Sequence, residues 1–86
     1  MTYQIRIENR AEKFITQLPQ PEKERVLIAI SKLPEGDVKR LKGKRSAGMY
    51  RLRVGNYRII YTMDGEKMII CVVDAGNRGQ IYGRYK

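Results

Sequence analysis

Eighty-six residues, 42% of them hydrophobic, suffice for one domain and leave no room for a second core. A single Cys71 excludes an internal disulfide framework, the lack of histidine excludes a Cys/His zinc site, and no apolar run approaches the roughly 18 residues of a membrane span. The net charge of +9 points to polyanionic partners.

Tyr3, Ile5 and Ile7 alternate with Gln4 and Arg6, the period of a half-buried strand. Asn9 stands three residues before Glu12, a capping-box-like spacing that predicts a helix start. Ala11, Phe14, Ile15 and Leu18 follow at helical spacing, and Pro19 stops that helix. Pro21 suits the first turn of a second helix, whose Glu22 and Glu24 favour its positive end. Val26, Ala29, Ile30 and Leu33 form its apolar stripe, and the run from Leu33 to Gly36 ends it. Both stripes read as ordinary core faces.

The segment 37–48 is polar and rich in Gly and Lys, a loop or short helical turn. Strands are predicted over 50–54 and 57–63, around the two-residue hairpin signal Gly55-Asn56. Asp64-Gly65 is a second such turn, leading into a strand over 67–74. Ala75-Gly76-Asn77 breaks the pattern, and 78–85 reads as a last strand with no helix after it. The predicted fold is α+β in the order β-α-α-β-β-β-β: an N-terminal strand, a two-helix hairpin and a four-stranded antiparallel meander. The helices pack on one face of the sheet, and residues 1–86 form a single domain.

Turn geometry fixes a register. With Gly55-Asn56 as the loop, Val54 pairs with Tyr57, Arg53 with Arg58, Leu52 with Ile59, and Tyr50 with Tyr61. Tyr50, Leu52, Val54, Tyr57, Ile59 and Tyr61 then share the core face, and Arg51, Arg53 and Arg58 the other. The second turn is expected to pair Met63 with Glu66, which adds Met68, Ile70 and Val72 to the core set. On the last strand, with Ile81 in the core, Arg78 and Tyr82 join the arginine face. Ile60, Ile69, Cys71 and Val73 also fall on that face, so it has an apolar floor and cationic walls, the makings of a groove. Like charges directly opposite each other destabilise a sheet, and bidentate binding of phosphate is one compensation.

Charge is concentrated along the chain. Residues 37–58 carry eight Lys/Arg against Asp37 alone, whereas 1–36 carry six against five acids and 59–86 four against three. The focus suits a phosphate backbone, and it marks Lys39, Arg40, Lys42, Lys44 and Arg45 as RNA or ribosome contacts. The segment is not a basic amphipathic helix, so a membrane surface is not the expected partner. The start MTYQIRIE has no signal-peptide h-region, and the expected location is the reducing cytoplasm.

The run YRLRVGNYRIIYTMDGEKMIICVVDAGNRGQIY, from Tyr50 to Tyr82, resembles the C-terminal sheet of RelE/ParE-superfamily toxins, on the RelE side. The preceding LKGKRSAGMYRLRVG resembles their loop and following strand, and the two-helix N-terminal half agrees in order and length. The resemblance implies the toxin of a type II toxin–antitoxin system, an mRNA endonuclease acting in the ribosomal A site. It implies no metal and no cofactor, attack of the ribose 2′-OH on the adjacent phosphate, and a small, acidic, partly disordered cognate antitoxin. Carried over by position, it assigns catalytic roles to Arg51, Arg53, Arg58, Arg78 and Tyr82. The superfamily's RelE has lysines where Arg51 and Arg53 stand, and many relatives have His where Asn77 stands. Proton abstraction then falls to Tyr82, Tyr85, a carboxylate such as Asp74, or the ribosome. The alternatives are a ParE-like gyrase inhibitor and a non-catalytic RNA- or ribosome-binding module.

Overall fold

The computed structural model describes residues 2–43 and 46–85. In chain order its elements are β1 (Gln4–Ile7), α1 (Asn9–Thr16), α2 (Gln20–Ser31), β2 (Val38–Arg40), β3 (Met49–Val54), β4 (Tyr57–Asp64), β5 (Ile69–Asn77) and α3 (Arg78–Arg84). The sheet has five strands in the order β1-β5-β4-β3-β2. β1 runs parallel to β5, and the other three pairings are antiparallel. The α+β class and the order of a strand, two helices and a four-stranded antiparallel meander agree with expectation. The membership of the meander does not.

Glu8 ends the first ladder by donating its backbone N–H to the Val72 carbonyl at 2.9 Å. It therefore stays extended and becomes the N-cap of α1, so Asn9 is already helical and the expected capping box at Asn9 and Glu12 does not form. Pro19 is the N-cap of α2 and Pro21 sits in its first turn, where a missing N–H costs nothing. Ala11 and Ile15 of α1, with Val26 and Ile30 of α2 and Leu33 beyond it, meet Leu52, Val54, Ile59, Tyr61, Ile70, Val72 and Ala75 of the sheet. Each fully buried aliphatic side chain there contributes about 1.5–3 kcal/mol relative to exposure.

Around Gly55-Asn56 the register is the expected one, from Val54 opposite Tyr57 to Tyr50 opposite Tyr61. Gly55 takes φ +59°, the left-handed conformation that this tight turn requires. The second hairpin differs. Asp64 Oδ1 accepts from the backbone N–H of Glu66 (3.0 Å) and of Lys67 (3.1 Å), which opens the turn to the four residues 65–68. Met63 consequently pairs with Ile70, not Glu66. The displacement is even, so Ile70 and Val72 keep the core face, while Met68 leaves the ladder and takes φ +56°.

The fourth strand of the meander is β2, in the segment expected to be a loop. Val38, Lys39 and Arg40 pair with Leu52, Arg51 and Tyr50. Three residues are too few to display an alternation, and charged side chains suit an exposed sheet edge. Residues 78–84, expected as a strand, are helical instead. Asn77 Oδ1 accepts from the Gln80 N–H and Gln80 Oε1 accepts from the Asn77 N–H, both at 3.0 Å, a complete capping box that starts α3. The helix lies on the sheet face opposite α1 and α2. There Ile81 and Ile60 are buried outside the main core.

Candidate active site

Two register details bring the site together. In α3, Arg78, Ile81, Tyr82 and Tyr85 follow the i, i+3, i+4, i+7 spacing and share one helix face. Across from them, alternation puts Lys39 of β2, Arg51 of β3 and Arg58 of β4 on the same side of the sheet, where Lys39 and Arg51 are direct partners. These seven residues and Leu41 line a cavity of about 380 Å³. Leu41 and Ile81 give it apolar surface and the Lys and Arg residues give it charge, and Tyr82 stands 72% exposed beside it. Ile60, Ile69, Cys71 and Val73, the expected floor, do not line it.

Arg58 is held from behind. Its Nη1 donates to the carbonyls of Gly55 (2.8 Å) and Tyr57 (3.0 Å), so the hairpin backbone orients the guanidinium. Burial lowers its pKa from the ordinary arginine value, and the charges of Arg51, Arg53 and Arg78 lower it further, while Asp37 acts in the opposite sense. The cluster is short of negative charge, a condition that an incoming phosphate relieves.

Arg53 is next to this cavity without lining it. Asp37 Oδ2 accepts from its Nε at 2.7 Å and draws it towards a second cavity, shared with Arg25 and Lys32. Both partners of that ion pair are about half exposed, so the pair stabilises the fold by no more than about 1 kcal/mol. Of the expected RNA contacts, Lys39 lines the first cavity. Arg40 pairs with Tyr50 and so faces the other side of the sheet, and Lys42 is exposed beyond β2. Lys44 and Arg45 lie outside the described residues. The structure thus brings Arg51, Arg58, Arg78, Tyr82 and Lys39 together and leaves Arg53, Arg40 and Lys42 out of the cavity.

Two possible proton acceptors are already engaged. β5 carries a bulge: Tyr61 pairs with Val72 but Ile60 with Asp74, so Val73 is extra and the side-chain alternation reverses after it. Asp74, fully buried, thereby faces α3. Its Oδ1 accepts from its neighbour's backbone N–H (Ala75, 2.8 Å), Arg84 Nη1 donates to both oxygens at 2.9 Å, and Tyr85 donates to Oδ2 at 3.0 Å. Burial, then the hydrogen bond to Asp74, raises the Tyr85 phenol above the ordinary tyrosine value. Tyr85 therefore keeps its proton, and the oxygens of Asp74 are already occupied by donors. Among the described residues no three His, Cys, Asp or Glu side chains gather to hold a metal.

Leu41 lines the cavity without any signal in the sequence; Ile81, expected in the core, and Tyr85, expected only as a possible proton acceptor, line it as well. For Ile81 and Tyr85 the available signal is the capping-box spacing of Asn77 and Gln80, which announces a helix where alternation suggests a strand.

A family model described as the ParE toxin of the type II toxin–antitoxin system parDE matches residues 5–82. Toxin RelG of Mycobacterium tuberculosis is 30% identical over 91 residues, covering 98% of this chain and 100% of that toxin. Among solved structures, a chain of the archaeal RelE–RelB complex from Pyrococcus horikoshii is 29% identical with a TM-score of 0.72, over 93% of this chain and 99% of that one. A chain of the RelBE2 toxin–antitoxin complex from Mycobacterium tuberculosis has a TM-score of 0.77 over 91% of this chain and 100% of that one. At 23% identity this second likeness speaks for the fold alone.

Proposed function

The chain belongs to the RelE/ParE superfamily of type II toxin–antitoxin toxins, and from that membership we propose that it is a metal-independent, ribosome-dependent mRNA endonuclease. The observation that carries this reading is the cavity in which Lys39, Arg51, Arg58 and Arg78 converge beside an exposed tyrosine.

In the reaction the ribose 2′-OH attacks the adjacent phosphorus and the bond from phosphorus to O5′ breaks. The products are a 2′,3′-cyclic phosphate and a 5′-hydroxyl. The proton lost from the 2′-OH and the proton gained by O5′ balance. Negative charge grows on the non-bridging oxygens, where the guanidiniums of Arg51, Arg58 and Arg78 neutralise it, Arg58 being already oriented by the hairpin carbonyls. An arginine keeps its proton at neutral pH, so these residues stabilise charge and do not abstract protons. Arg53 adds to the positive potential from beside the cavity. Of the two cavity tyrosines, Tyr85 is bound to Asp74, which leaves Tyr82 to orient the nucleotide and handle a proton.

Lys39, Arg40, Lys42, Lys44 and Arg45 contact ribosomal RNA or message in this reading, and the protein acts in the cytoplasm as one domain. Its antitoxin is an acidic, partly disordered chain. The support for such a partner is the net charge of +9, the exposed Leu27 and Ile28, and the relatives whose structures are RelB complexes.

The description of the matched family favours a second reading, a ParE-like inhibitor of DNA gyrase. One pair of experiments separates the two. The pure protein is added to a translation reaction, with message ends mapped, and separately to a gyrase supercoiling assay. Truncated message with 5′-hydroxyl ends supports the nuclease; intact message with blocked supercoiling supports the gyrase inhibitor.

A further inference from the structure

We propose that Asp74 is a positioning residue, whose buried carboxylate sets the α3 wall of the cavity against the arginines of the sheet. Four of the eight lining residues (Arg78, Ile81, Tyr82 and Tyr85) come from α3 or its C-cap, and the polar ones on the sheet side are Lys39, Arg51 and Arg58. The separation of the two walls therefore depends on what ties α3 down.

At the start of the helix, the Arg78 N–H donates to the Asn56 carbonyl at 2.9 Å, next to the Asn77 cap. In the middle, Ile81 lies over Gly76, where an added Cβ would come within 3.3 Å of it. At the far end the only side-chain hydrogen bonds to the sheet, among the described residues, are those of Arg84 and Tyr85 to Asp74. Arg10 of α1 approaches the same carboxylate at 3.7 Å, from an exposed position. Asp74 can receive these donors only because of the extra residue Val73. On an unbroken ladder it would share the face of Ile70 and Val72, in the main core.

A buried carboxylate with every oxygen engaged is rigid, and a seven-residue helix has little stability of its own. Without the carboxylate the C-terminal turn of α3 swings, and Tyr82 loses its fixed distance to Arg58. Phosphate contacts from the sheet remain. Misplacement of reacting groups by about 1 Å is enough to cost on the order of 100-fold in rate.

The rate arm of the test rests on the nuclease reading; the structural arm does not. Asp74→Asn is compared with Tyr85→Phe and Arg84→Gln, which each remove one strut and leave the carboxylate in place. The expected result is a fall in kcat of up to about 100-fold with KM unchanged. Losses should be non-additive when Asp74→Asn is combined with Arg84→Gln, since both act through one contact. Backbone hydrogen exchange should quicken at residues 81–85 and stay slow in β4 and β5. Unchanged exchange in α3 overturns the proposal, and so does faster α3 exchange with unchanged kcat. A uniform loss of protection across the sheet, with kcat and KM moving together, makes Asp74 a folding residue only and also overturns it. Should the native protein leave message intact, the nuclease reading fails, and the exchange experiment still decides whether Asp74 holds α3.

Discussion

The Gly55 carbonyl accepts a hydrogen bond from Arg58 Nη1 at 2.8 Å, so the tightest turn of the sheet also aims a guanidinium of the candidate site. The link is economical in sequence, because a hairpin needs its glycine for backbone reasons alone. It also ties the position of one cation to the chain rather than to another side chain. Behind the same residue stands Arg25, whose Nη2 would lie 2.5 Å from a Cβ at position 55.

Replacing Gly55 by Ala forces a side chain into the left-handed region, which costs about 1–2 kcal/mol. The crowding on Arg25 adds little, because the far end of a flexible side chain can move. A urea melt should show the midpoint lowered and the slope unchanged. Adding Arg25→Ala should restore almost none of the loss. Full restoration would place the strain in the contact rather than in the backbone.

Arg58→Ala should lower kcat for message cleavage by a factor corresponding to about 2.7–4 kcal/mol, the range for a lost oxyanion donor. Single-turnover cleavage on programmed ribosomes measures it. Cleavage at the native rate would remove Arg58 from the mechanism.

Tyr82→Phe keeps the ring and deletes one hydroxyl. Affinity for RNA should stay close to native, because the ring and the guanidiniums remain, and cleavage should fall. A binding titration with a 2′-deoxy substrate analogue, run beside the cleavage assay, separates the two. If cleavage persists undiminished, the phenol takes no part in proton transfer or orientation.

Asn77→Ala removes the cap of α3 and should cost about 1 kcal/mol of stability. The loss should appear locally, as faster amide exchange at the start of α3 around Gln80, whose N–H loses its acceptor. Protection there equal to that of the native protein would mean that the apolar contact of Ile81 alone holds the helix.

The phenols of Tyr61 and Tyr85 are raised above the ordinary value, chiefly by burial, so the folded chain holds their protons more tightly than the unfolded one. Stability from this source is complete below about pH 10 and is lost as pH climbs through the raised values. Unfolding free energies measured across that range should be level and then fall. Tyr85→Phe should make the fall shallower. A curve identical in the variant would show that Tyr85 does not contribute to it.

The parts legible in the sequence were those governed by neighbours along the chain. Gly55-Asn56 specifies a two-residue hairpin, a hairpin specifies its register, and register puts Arg53 opposite Arg58 and Arg51 on the same face. The helical stripes of α1 and α2 likewise follow from a 3.6-residue period, and the concentration of charge in 37–58 is a matter of counting. Family likeness points to roles for these positions, and their geometry does not depend on it.

Tertiary structure decided what depends on distant groups. β2 exists because β3 offers it an edge, and three residues carry no pattern to announce that. The extra residue Val73 answers to pairing between β4 and β5, so no local rule sends Asp74 to the side of α3. Asn77 and Gln80 have the spacing of a cap, but alternation over 78–85 suggests a strand, and only the packing of Ile81 over Gly76 decides for the helix. The cavity is closed by that helix, because side chains at a period of 3.6 present Arg78, Ile81, Tyr82 and Tyr85 together, whereas a strand would have divided them between two faces.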